Sequence, residues 1–120
     1  MEERRRFVRL DTRLDLAYTI LPSGQAKQSL TKNVSAGGIC LISDQALPPG
    51  TRLQVALKLP GREQSVNAIA EVVWNEPYEV ISKAERRRSA EVGLRFVEIA
   101  PADREALMQH VILSLQPTAR

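Results

Sequence analysis

From Arg13 onward the chain alternates. Leu14, Leu16, Tyr18 and Ile20 fall on one side of an extended backbone, and Arg13, Asp15, Ala17 and Thr19 on the other. A period of two marks a strand with one buried face. Pro22-Ser23-Gly24 turns the chain. A second strand is predicted over about Lys27–Lys32, and Asn33–Gly38 is expected to interrupt its pairing. Ile39-Cys40-Leu41-Ile42 is a continuous apolar run, expected to be buried on both sides. After the turn at Leu47-Pro48-Pro49-Gly50, Leu53, Val55, Leu57 and Leu59 alternate with Arg52, Gln54, Ala56 and Lys58. Pro60-Gly61 turns the chain again. Val66, Ala68, Ala70, Val72 and Trp74 form the longest alternating stretch. The alternation lapses over residues 75–89 and returns at Val92, Leu94 and Phe96. Six short strands joined by Gly/Pro turns predict a mainly β protein, a small antiparallel barrel or sandwich.

The end of the chain follows another period. Leu107, Met108, Val111, Ile112 and Leu115 make a helical apolar stripe. Pro101 suits a first helical turn, and Asp103 and Glu105 favour its positive end. One helix is therefore predicted over about 101–115, lying on the barrel and stopped by Pro117. Leu113 falls off the stripe and is expected to be exposed.

Composition narrows the class. At 120 residues the chain has the length of one domain. The first twelve residues read as a basic arm, and 13–120 as the barrel with its helix. No apolar run is long enough for a membrane span or a secretion signal, so a soluble, cytoplasmic protein is expected. The single cysteine, Cys40, fits a reducing compartment and reads as a small buried hydrophobe. His110 is the only histidine, and no carboxylate pair or metal-binding spacing stands out. An enzyme is therefore not expected.

Charge changes the picture more. Net charge is only +3, yet seven of thirteen arginines sit in Arg4–Arg9 and Arg86–Arg88. Arginine outnumbers lysine thirteen to four, which favours forked recognition of phosphate or carboxylate. Arg86-Arg87-Arg88 reads as a solvated inter-strand loop, with a ligand or partner contact as the alternative. Arg5 and Arg9 can converge on one ligand from a turning segment, on phosphate oxygens or on the O6/N7 edge of guanine. Alone, the segment reads equally as a solvated basic start. Asn33-x-Ser35-x-x-Gly38 offers two short polar side chains, and Gly37 and Gly38 allow positive φ or close backbone approach. Alone, it reads equally as a bulge or turn.

Taken together, Arg5-Arg6-Phe7-Val8-Arg9 and Asn33-Val34-Ser35-Ala36-Gly37-Gly38 resemble the two signature motifs of the PilZ domain family. Pro49-Gly50, Ala70-x-Val72-x-Trp74, Gly93-Leu94-Arg95-Phe96 and the terminal helix extend the resemblance over nearly the whole chain. The resemblance implies a six-stranded antiparallel β-barrel of split-barrel type with a C-terminal helix. It also implies a receptor for bacterial cyclic di-GMP. On that analogy Arg5 and Arg9 hold guanine and phosphate, Asn33 and Ser35 bond the other guanine, and Gly38 lets it approach the backbone. Arg4 goes with an intercalated ligand pair, and Arg6, Gly37 and Trp74 are further possible contacts. Trp74 has barrel-mouth packing as its alternative. Arg9-Leu10-Asp11-Thr12-Arg13 also fits the first motif. The Arg5/Arg9 register is preferred, since Arg13 is expected to begin the strand. With no output domain expected, the signal passes to an unidentified protein partner. Two competing classes are a PilZ-like interaction module that binds no nucleotide, and a barrel for single-stranded nucleic acid. The latter needs several stacking aromatics, and Trp, Tyr and Phe total five here, so no nucleic acid is expected.

Overall fold

A computed structural model of the chain describes residues 9–115. The strands are β1 (Leu10–Asp11), β2 (Asp15–Leu21), β3 (Gln25–Ser35), β4 (Gly38–Ser43), β5 (Arg52–Leu57), β6 (Val66–Ile81) and β7 (Arg86–Ile99), followed by the helix α1 (Pro101–Leu115). All pairings are antiparallel. The order β3-β2-β5-β6-β7-β4 closes on itself through a β3–β4 pairing, giving a six-stranded barrel with β1 added beside β3. Closure pairs strands that would otherwise be edges.

The alternating residues fill the barrel. Tyr18, Leu41, Leu53, Leu57, Val72 and Val92 are almost wholly buried. The Tyr18 hydroxyl reaches the buried Ser43 hydroxyl at 3.3 Å, which partners both. Cys40 is buried as expected. Helix α1 keeps the predicted bounds and packs against β1, β3 and β6. It buries Leu107 and Val111 and exposes Leu113, as the stripe predicts. Ile112 and Leu115, also on the stripe, are exposed instead. The sheet beneath the helix covers only the narrow centre of the stripe.

Three expectations are corrected. The Asn33–Gly38 segment does not interrupt pairing: β3 runs unbroken to Ser35, and only Ala36 and Gly37 form the turn into β4. A one-residue register shift between Thr31 and Asn33 takes the irregularity. Arg13 does not begin a strand. It lies in the β1–β2 connection, and its guanidinium donates to the Lys32 carbonyl at 3.5 Å. The polar stretch 75–89 is not a loop. It extends β6 and β7 as a paired ribbon, with Tyr78 opposite Ser89 and Ile81 opposite Arg86. Arg86–Arg88 therefore begin β7 and are not a solvated loop. Alternation of hydrophobicity is lost there because both ribbon faces are exposed beyond the barrel, so no face needs apolar residues.

Candidate ligand-binding site

Residues 33 and 34 are paired on both flanks. Val34 meets Leu10 of β1 and Ile39 of β4, and Asn33 meets Asp11 and Cys40. Val34, Ile39 and Leu94 belong to the core. Strand alternation then turns Asn33, Cys40 and Gly93 to the outer wall. Cross-strand partners share a face, so the pairs Asn33–Cys40, Cys40–Gly93 and Gly93–Trp74 form one row across β3, β4, β7 and β6. A second row runs Ser35–Gly38–Arg95–Glu71. Three strand spacings make the first row about 14 Å long.

Arg9 stands at one end of this ledge, where its Nη2 donates to Asn33 Oδ1 at 2.9 Å. The first residue of the second motif and the last of the first are thus in direct contact. The contact depends on how the chain enters β2. Thr31 is fully buried, and its hydroxyl accepts from Leu14 N–H at 2.9 Å and donates to the Thr12 carbonyl at 2.6 Å. Thr12 N–H donates to the Lys32 carbonyl at 3.1 Å. These bonds pin the β1–β2 connection against β3 and set Arg9 beside Asn33.

Ser35 serves the turn. Its hydroxyl accepts from Gly37 N–H at 3.1 Å and Gly38 N–H at 3.2 Å, and lies 3.3 Å from the Gly38 carbonyl. A short hydroxyl that accepts from following amides is a local turn-former. Gly37 and Gly38 are not among the positive-φ glycines, which are Gly24, Gly50 and Gly61. Gly38 is needed for another reason: a Cβ there would lie 2.0 Å from the Leu94 carbonyl oxygen. The close approach is to the backbone of β7. From the other side, Arg104 of α1 donates to the Ala36 carbonyl at 3.0 Å.

Trp74 stands at the far end, 41% exposed. A Cβ on Gly93 would meet the indole at 2.3 Å, so the ring lies where a side chain would otherwise be. It therefore packs on the outer wall and keeps part of the ring in solvent. The register shift between Val72 and Trp74 re-aims the side chain. Between the two ends, Lys32 pairs with Glu91 at 2.7 Å and Arg95 with Glu71. The Glu91 carboxylate raises the Lys32 pKa, through the hydrogen bond first and then its charge. Burial raises the Cys40 thiol, reinforced by Glu91 and opposed by Lys32 and Arg9. A protonated, buried thiol is a poor nucleophile.

Of the sequence-predicted residues, Arg9, Asn33, Ser35, Gly37, Gly38 and Trp74 are therefore found on or beside one face. Arg4, Arg5 and Arg6 lie outside the described residues. Thr31, Gly93, Arg95 and Arg104 were not singled out as site residues. Thr31 looks in sequence like any strand threonine, and only the register reveals what Gly93 accommodates. Among the described residues no cluster of histidine, cysteine and carboxylate could hold a metal. No helix there is long and apolar enough to cross a membrane.

The profile of the PilZ domain matches residues 3–113, and the chain belongs to this family. Solved structures agree in fold. The Bacillus subtilis inhibitor of motility (MotI/DgrA) is 27% identical at a TM-score of 0.71; the match covers 96% of this chain and 54% of that one. This chain thus spans about half of that relative. The PilZ domain of Escherichia coli YcgR, solved with cyclic di-GMP, is 22% identical at a TM-score of 0.70, covering 94% of this chain and 92% of that one. The Klebsiella pneumoniae MrkH–cyclic di-GMP complex is 16% identical at 0.71, covering 95% and 52%. No curated protein matches the sequence.

Proposed function

We propose that the chain is a receptor for cyclic di-GMP, bound along the outer ledge between Arg9 and Trp74. The observation that carries this reading is the Arg9–Asn33 contact at 2.9 Å, which unites the two motifs at one place. A guanidinium offers a fork of donors to phosphate oxygens or to a guanine edge. Asn33 supplies an amide beside it. The exposed part of the Trp74 indole offers a flat face to a base. Arg4 and Arg5 approach along the same arm in sequence, and Arg4 is the residue for a second, stacked ligand. Ligand contacts to residues 4–9 would order the arm across the ledge and change the surface that a downstream partner meets. Membership of the family and the cyclic di-GMP bound to the E. coli relative support the choice of ligand.

Calorimetric titration with cyclic di-GMP, with GTP and cyclic di-AMP as controls, tests this. Saturable binding of cyclic di-GMP alone is expected, and a ratio of two per chain would indicate the stacked pair. Absence of binding would overturn the reading and leave an interaction module that uses no nucleotide.

A further inference from the structure

The ribbon formed by the ends of β6 and β7 has no part in the ledge. Beyond Val72, β6 has no β5 partner, since their pairing ends at Arg52–Glu71. Before Ala90, β7 has no β4 partner, since theirs ends at Ser43–Ala90. The two ends pair only with each other from Tyr78–Ser89 out to Ile81–Arg86.

Both open flanks carry features that oppose addition of a further strand. Pro77 lacks a backbone donor, and Arg86, Arg87 and Arg88 line the β7 side. The faces are another matter. Cross-strand partners put Ile81, Arg86, Glu79, Arg88 and Pro77 on the face that continues the barrel interior. Ile81 is 68% exposed, more than any other large apolar side chain described. A groove opens along the flank of this ribbon, lined by Asp44, Ala46, Pro77, Tyr78, Glu79 and Arg88 among others. The arginines are poorly neutralised. Arg86 reaches Glu79 and Arg87 reaches Glu85 only at 3.9 Å, both well exposed. The Arg88 side chain makes no hydrogen bond or ion pair among the described residues, although its backbone pairs opposite Glu79. Two forked cations, Arg86 and Arg88, beside exposed Ile81 and Pro77 give this face both the charge and the apolar contact that binding surfaces use.

We infer that this face of the ribbon is a docking surface for a protein partner that presents carboxylates interleaved with apolar side chains. Charge sets the occupant. The face has two arginines against one glutamate, Asp44 at the groove's edge is already paired with Lys27 at 2.9 Å, and guanidinium forks match carboxylates. Its apolar centre, Ile81 and Pro77, needs an apolar counterpart. The inference stands independently of the ligand reading, because none of these residues lies on the ledge.

The test uses the full chain and peptides of defined composition. One set alternates glutamate with leucine or phenylalanine, and a matched set carries lysine in place of glutamate. Binding is followed by amide shifts in NMR spectra. The acidic set should bind, with shifts concentrated at residues 76–89. The combined Arg86→Glu and Arg88→Glu variant should lose about tenfold or more in affinity, whereas Arg87→Glu, on the opposite face, should change it little. Ile81→Ser should weaken binding separately. Every substituted position is exposed, so an unchanged melting temperature and unchanged cyclic di-GMP titration are expected. Equal binding of the lysine set, shifts located elsewhere, or preference for duplex DNA would overturn the inference. Ribbon-dependent self-association in place of peptide binding would overturn it equally.

Discussion

Arg9 and Asn33 are separated by 24 positions in the chain and by 2.9 Å in space, guanidinium to side-chain oxygen. Each orients the other, so the donor fork is set on the ledge by a partner that itself belongs to the second motif. Arg9→Ala should lower cyclic di-GMP affinity about ten- to a hundredfold, the worth of one or two charge-assisted bonds. Its exposure predicts an unchanged melting temperature. Arg13→Ala is the control, because among the described residues Arg13 makes only a long bond to the Lys32 carbonyl. Calorimetry on both variants checks the assignment. A larger loss at Arg13 would shift the first motif by four residues.

Thr31→Val keeps the shape and removes the hydroxyl. Leu14 N–H then loses its partner in a buried place, at a cost of about 1–3 kcal/mol. The β1–β2 connection should loosen, and ligand affinity should fall although Thr31 touches no ligand. Urea unfolding and titration of the same sample check both effects.

Gly38→Val should fail at the level of the barrel. Its Cβ would overlap the Leu94 carbonyl, and relief requires β4 and β7 to separate. A loss of about 1–3 kcal/mol or more is expected. The melting temperature should drop with or without ligand. Undiminished stability would show that the strands part freely there.

Trp74→Ala should cost little stability and about 1–3 kcal/mol of binding if one base stacks on the ring. Trp74 is the only tryptophan, so its fluorescence reports the ledge directly. Cyclic di-GMP should change the emission of the wild type. An emission indifferent to saturating ligand would remove Trp74 from the site.

Cys40 gives a pH prediction. Burial raises its thiol pKa in the folded chain. The unfolded chain ionises first as pH rises past the ordinary thiol range, about 8.5. The folded state then binds more protons than the unfolded one, so this group's contribution to stability declines with rising pH above that range. Alkylation by iodoacetamide should be slow in the native state at pH 8 and fast in urea.

Sequence pattern revealed the barrel wherever one face of a strand meets the core. Leu53–Leu59 and Val66–Val72 announce themselves because burial forces every second residue to be apolar. The ribbon escaped for the same reason, since neither of its faces is buried and polar residues are tolerated at every position. The signature turn was read as a break because Asn, Ser and Gly favour turns locally. Pairing to β1 and β4 on both flanks overrides that preference as far as Ser35. At the site, Arg9 and Asn33 were legible as chemistry but their contact was not, since it depends on Thr31 bonding to Thr12 and Leu14. Gly38 was legible as a place of close approach, but the Leu94 carbonyl opposite it was not, since that depends on the β4–β7 register.

The proposed site is a wall and has no mouth. Among the described residues no deep cleft encloses a guest, so exclusion by size has little purchase there. Selection falls instead on reach. The grips at Arg9–Asn33 and at Trp74 stand roughly three strand spacings apart, about 14 Å. A mononucleotide can hold one grip or the other. A ligand with two bases joined by phosphates can hold both, and its second contact forms at the high effective concentration that a short tether creates. Discrimination against the abundant cellular GTP would then come from valence, with neither grip needing to be tight by itself.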